Sequence, residues 1–249
     1  MSFLEHLAEL RTRIIQSLIG IGAGMIVGLA VSPKVLGIIA RPMQLALRGA
    51  HLDDKLIYTS PTGAINLIIT LGVYLGLVLA SPWVLYQVWL FVAPGLYKHE
   101  RRAVWMFVGS SVFLFLVGIA FGYFVMLPYV LKFLISFQGP FRPLIDINEY
   151  FDLIFIVLLG LGLIFELPIL IFFLALFGLV TPKMLLKNFR YAVLIITILA
   201  AIITPTPDAT TMLIFMAPMF LLYLLGVLVS AVVVRRKRRA QAMANQGAA

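Results

Sequence analysis

The sequence predicts an all-α membrane protein: six transmembrane helices in a concave bundle, both termini cytoplasmic, the fifth and sixth spans short or set in thinned bilayer. Three observations predict this. The 249 residues are 63% hydrophobic and only 12% charged, too little charge to keep a soluble domain of this length wetted. The apolar residues fall in long blocks with the charges squeezed between them, as a bilayer solvent demands. The basic residues gather in alternate polar segments, the bias that sets membrane orientation.

The elements follow in order. Phe3–Ile14 reads as an amphipathic helix, with Phe3, Leu7, Leu10 and Ile14 on one side and Glu5, Glu9 and Arg13 on the other. Glu9 and Arg13 stand at i, i+4 and can pair. The helix runs into a first apolar block, Ile14–Val31, longer than the ~7–15 residues of a cleaved signal's core, and is read as a retained span. The further blocks are Ala64–Leu85, Ala103–Leu127, Leu153–Leu179, Ala192–Ile203 and Met212–Val234. Five can cross a core of ~30 Å at 1.5 Å per residue, while Ala192–Ile203 reaches only about 18 Å. It is expected to cross with local thinning or with a wetted end. Residues 1–249 form a single polytopic domain, with 235–249 as a basic cytoplasmic tail.

With the N-terminus inside, the inner segments hold thirteen of the 19 basic residues. Omitting the short fifth block as a span would put Arg235–Arg239 outside, so the fifth and sixth blocks cross together or form a re-entrant hairpin together. The outer segments 32–63 and 128–152 are long and rich in Pro and Gly, suited to a partly helical cap, and Thr204–Asp208 is a tight turn. Gly20, Gly24 and Gly28 recur on one face of the first span, and Gly118 and Gly122 repeat that spacing in the third. Such small residues allow close backbone approach, within this chain or between copies.

Several function classes are excluded. Cysteine is absent, which removes disulfides and thiolate chemistry. The histidines His6, His51 and His99 lie in separate segments without ligand spacing, so no metal and no cofactor is expected. Neither a His-Glu-x-x-His motif nor a serine-nucleophile signature is present, so the chain is not read as an enzyme. The net charge of +9 rests on the run Arg235–Arg239, which reads as an anchor on anionic lipid rather than a nucleic-acid surface.

Glu166 is the sharpest single residue. It lies midway along Leu153–Leu179, where a carboxylate costs at least ~2.5 kcal/mol, and no Lys or Arg lies inside any span. It must be protonated, face water, hydrogen-bond to Asn66, Thr70 or Thr197, or meet another chain. Pro168, two residues on, is expected to kink its helix. On the inner side, Glu9 and Glu100 are isolated carboxylates among cations.

The run Ser81-Pro82-Trp83…Tyr86-Gln87-Val88-Trp89…Phe91…Ala93-Pro94…Leu96-Tyr97-Lys98-His99-Glu100-Arg101-Arg102 resembles the first cytoplasmic loop of the TatC family, receptor subunits of the twin-arginine translocase. Four further segments match in order: His6-Leu7…Glu9-Leu10-Arg11…Arg13, Phe121-Gly122-Tyr123-Phe124…Pro128, Phe165-Glu166-Leu167-Pro168, and Thr204-Pro205…Pro207-Asp208. The resemblance implies a cell-membrane receptor for signal peptides bearing two consecutive arginines, working in an oligomeric complex that exports folded proteins. It implies that Glu9 and Glu100, with Phe91 and Tyr97, bind the signal peptide. It also implies that Glu166 and Asp208 contact single-span TatA-type and TatB-type partners. Carboxylates suit guanidinium forks better than ammonium groups. Met212 stands where the family often has a glutamine. The alternative reading is an ion-coupled small-molecule transporter with Glu166 as proton relay; such proteins pair charges at the midplane and show repeat symmetry, and this sequence does neither.

Overall fold

In the computed structural model, the backbone is described for residues 3–92, 101–137, 144–204 and 208–246. Side chains are described over the same ranges except 3–4, 92, 101–106 and, apart from Met243, 238–246. The described residues form helices α1 (Phe3–Gly49), α2 (Gly63–Val92), α3 (Arg101–Phe121), α4 (Leu127–Ser136), α5 (Ile147–Ile164), α6 (Leu167–Leu176), α7 (Pro182–Lys187), α8 (Phe189–Ile203) and α9 (Ala209–Gln246). A single π-helical turn, Gly122–Met126, joins α3 to α4. No strand occurs among them, only an isolated bridge between Ile57 and Asp146. Five helical stretches are long and apolar enough to cross a membrane, and Phe189–Ile203 is a shorter sixth.

The sixth span, expected to be short or set in thinned bilayer, lies in α9, a helix of 38 residues that also takes in the polar, helix-favouring tail. One expectation on length is corrected. The segment from residue 32 was expected to leave the helix; instead α1 continues for 47 residues through Pro33 and Pro42. Each proline removes one amide from the helical ladder, and in each case a hydroxyl replaces it. Pro33 would have bonded Leu29 O, and the Ser32 hydroxyl donates there at 3.0 Å. Pro42 would have bonded Ile38 O, which accepts from the Tyr123 hydroxyl at 2.6 Å. In α2 the pattern recurs: Pro82 leaves Val78 O open, and Ser81 donates to it at 2.7 Å.

The chain forms two compact units, Met1–Leu159 and Gly160–Ala249. In the first, α1 and α2 run antiparallel in close contact. A Cβ on Gly28 would stand 2.2 Å from Gly72 O, and one on Gly76 only 2.5 Å from Met25 Cα. The Gly24–Gly28 spacing therefore packs helices of this chain. Tyr150 of α5 is buried and wedges its hydroxyl into the α1 ladder, accepting from Met43 N at 3.2 Å and donating to Ile39 O at 2.9 Å.

In the second unit, α6 and α8 pack against α9. Gly160 and Gly226 each leave no room for a Cβ, lying against Ile203 and Ile171 respectively. The helix α6 ends at Gly178, whose φ of 79° is left-handed. The amides of Gly178 and Leu179 then turn back to Ala175 O and Leu174 O at 3.0 and 2.9 Å, a closure that favours glycine.

Candidate functional site

The start of α1 and the end of α2 meet in a polar cluster. Arg13 is its hub. Its Nη2 donates to Glu9 Oε1 at 3.3 Å, the expected i, i+4 pair. Its Nη1 donates to Gln87 Oε1 at 3.1 Å, and Gln87 is 2% exposed. Trp83 Nε1 donates to Gln16 O at 2.9 Å, one turn further along α1. His6 stacks on Phe91 with centroids 4.5 Å apart. Glu9 and Phe91, drawn together in the sequence only by resemblance, thus share one end of the α1–α2 pair. Glu9 Oε2 and Arg13 Nε are buried and have no hydrogen-bond partner among the described residues. Among the described residues, the cluster therefore holds a carboxylate with one oxygen paired and one without a partner. Tyr97 and Glu100 lie outside the described residues.

Glu166 sits where the expected span breaks. Pro168 stands in the first turn of α6, and Glu166 is the residue that caps it, with φ −74° and ψ −15°. Its amide bonds Leu163 O at 3.1 Å, and its carbonyl accepts from Ile169 N and Leu170 N at 3.0 and 2.9 Å. The break thus places the carboxylate on a kink in an otherwise apolar helix, where its side chain is half-buried. Thr197, one of its candidate partners, instead donates to Val193 O at 2.9 Å. Asp208 caps α9: Thr211 N and Thr211 Oγ1 donate to its two carboxylate oxygens, each at 2.7 Å.

Sequence reasoning missed a third polar feature. Asp146 Oδ2 accepts from the amide of Thr59 at 3.0 Å and from the Thr59 hydroxyl, while Oδ1 accepts from Asn148 N at 2.7 Å. With the backbone bonds of Ile57 to Ile145 and Ile147, this clips the segment before α2 to the start of α5. The Thr59 hydroxyl, ahead of the backbone donors, holds the Asp146 carboxyl down to about 2. The only sequence signal was an acid directly ahead of an apolar helix. A polar cavity of 370 Å³ opens beside the clip, lined by Asn66, Thr70, Glu149 and Asp152 among others.

Comparison with known proteins gives one consistent answer. The family model described as Sec-independent protein translocase protein (TatC) matches residues 5–218. The Sec-independent protein translocase protein TatC of Koribacter versatilis is 49% identical over 250 residues, covering 99% of this chain and 92% of that protein. That of Aquifex aeolicus is 32% identical over 244 residues, covering 97% and 99%. A crystal structure of the twin-arginine translocase receptor TatC superposes with a TM-score of 0.82 at 32% identity, covering 92% of this chain and 99% of that one.

Proposed function

The chain belongs to the TatC family of Sec-independent protein translocase proteins, and from that premise we propose that it reads the arginine pair of signal peptides through Glu9 and Glu100. It is a multi-pass membrane protein and the core subunit of the twin-arginine translocase, and it is not an enzyme. The observation that carries the proposal is the half-paired carboxylate of Glu9, whose buried Oε2 has no partner among the described residues. An arriving guanidinium supplies the missing donors in a planar fork, and a charge-assisted bond of this kind is about twice as strong as a neutral one. Phe91, on which His6 already stacks, and Tyr97 are the aromatic residues that contact the peptide in this reading.

In this reading the Glu9 end of the protein faces the cytoplasm, as do both termini, and the membrane is the plasma membrane. Glu166 receives the membrane helix of a TatA- or TatB-type single-span partner, with Asp208 contacting the partner near the outer turn. The kink supports this, since it opens the α5–α6 ladder at the one acid in an apolar stretch. The test is capture of a twin-arginine signal peptide by the purified protein in detergent. The wild type retains the peptide, and Glu9→Gln and Glu100→Gln each lose it while eluting as folded, monodisperse protein. Retention by both variants overturns the reading.

A further inference from the structure

A second binding feature lies in the Gly160–Ala249 unit, where the apolar face of α9 meets the start of its basic run. Val229, Val232, Val233, Arg236 and Lys237 follow the spacing i, i+3, i+4, i+7, i+8, so they share one face of α9. Opposite stand Phe172 and Leu176, one turn apart on α6. Together these seven residues line an open groove of about 370 Å³. Its walls are apolar, and its rim is cationic. The Lys237 ammonium donates to Leu176 O, the carbonyl at the C-terminal end of α6, which holds the charge at the rim. Arg236 and Lys237 are both exposed. Arg235, also exposed, does not line the groove.

The charge census decides what kind of molecule fits. Residues 160–249 contain two acids, Glu166 and Asp208. Asp208 caps the far end of α9, and Glu166 stands ten residues before Leu176, about 15 Å away along a helix. Neither lines the groove, so the two cations at its rim have no carboxylate there. An occupant must therefore bring an apolar chain for the valine face and an anionic group for the rim. It must also lie where an apolar helical surface ends and a basic one begins, which is the depth of a lipid headgroup.

We infer that this groove is a binding site for one anionic phospholipid, its acyl chain along Val229, Val232 and Val233 and its phosphate between Arg236 and Lys237. The site differs from undirected attraction of a polybasic tail to a charged bilayer, because it uses two named cations and a shaped apolar wall. It does not depend on how the signal peptide is read.

The test is native mass spectrometry of the full-length protein in detergent, titrated with phosphatidylglycerol, with phosphatidylcholine of the same chains, and with inorganic phosphate. Phosphatidylglycerol is retained most strongly, and inorganic phosphate does not displace it. Arg236→Gln and Lys237→Gln each weaken its retention about fivefold, the equivalent of one headgroup contact. Arg235→Gln leaves it within about twofold, the cation being off the groove. Val232→Trp, at an exposed position that tolerates bulk, fills the groove and weakens retention with every charge intact. If Arg235→Gln costs as much as Lys237→Gln, or if Val232→Trp leaves retention unchanged, or if free phosphate competes as well as the lipid, the site does not exist.

Discussion

Arg13 of α1 and Gln87 of α2, 74 positions apart, are joined by a 3.1 Å hydrogen bond that fixes the guanidinium from which Glu9 is held. The bond makes the geometry of an N-terminal carboxylate depend on the far end of the next helix. Gln87→Leu is therefore expected to cost about 1–2 kcal/mol, the value of a hydrogen bond to a charged group reduced for partial exposure. It should also weaken signal-peptide binding without touching any charge. Thermal unfolding in detergent and peptide titration check both; a variant unchanged in stability would mean that Arg13 finds another acceptor.

The serine–proline pairs make a second prediction. Ser81→Ala leaves Val78 O without its donor and should cost about 1 kcal/mol. In the double variant Ser81→Ala/Pro82→Ala the backbone amide returns, and most of that loss should be recovered. A double-mutant cycle on unfolding checks the coupling. Additive losses would show that the Ser81 hydroxyl does not stand in for the missing amide.

Close approach of α1 to α2 is the third. Gly76→Ala and Gly28→Ala force a Cβ against backbone atoms at 2.5 and 2.2 Å, so the helices must separate and the protein should lose several kcal/mol or fail to accumulate. Gly22→Ala meets nothing within 4 Å, and should be neutral or stabilising by up to about 1 kcal/mol from helix propensity. Expression level and unfolding temperature in detergent separate the two classes.

The fourth concerns acid. Asp146 is held down to about 2 in the folded protein, below the ordinary carboxylate value of about 3.9. A lowered folded value means that its contribution is complete above about pH 4 and is lost as pH falls toward 2. Asp146→Asn should remove that acid-dependent part of the stability curve and lower stability at neutral pH. Unfolding curves from pH 7 to pH 2 in the two proteins should differ most at the upper end. Curves that ran parallel throughout would show that Asp146 carries no folded-state shift.

What the sequence made legible was local. The Glu9–Arg13 pair, the break at Pro168 and the short fifth span all follow from spacing within a few residues. What stayed hidden was nonlocal repair. Pro42 reads as part of an outer segment because its lost amide is visible in the sequence, whereas the Tyr123 hydroxyl that replaces it, and Tyr150 wedged beside it, come from elsewhere in the chain. Asp146 stayed hidden for the same reason, since Thr59 is 87 positions away. Likewise Gly24 and Gly28 announced close packing but not the partner, which Gly72 and Gly76 supply.

The most direct measurement of the central claim is the affinity ratio between a twin-arginine signal peptide and its twin-lysine counterpart, for the wild type and for Glu9→Gln. A carboxylate that accepts a planar fork prefers guanidinium to ammonium, so the wild type should favour the arginine peptide by about tenfold or more, near 1.4 kcal/mol. In Glu9→Gln that preference should shrink toward unity as total affinity falls. A preference unchanged in Glu9→Gln would mean that the arginines are read elsewhere, and would contradict the account.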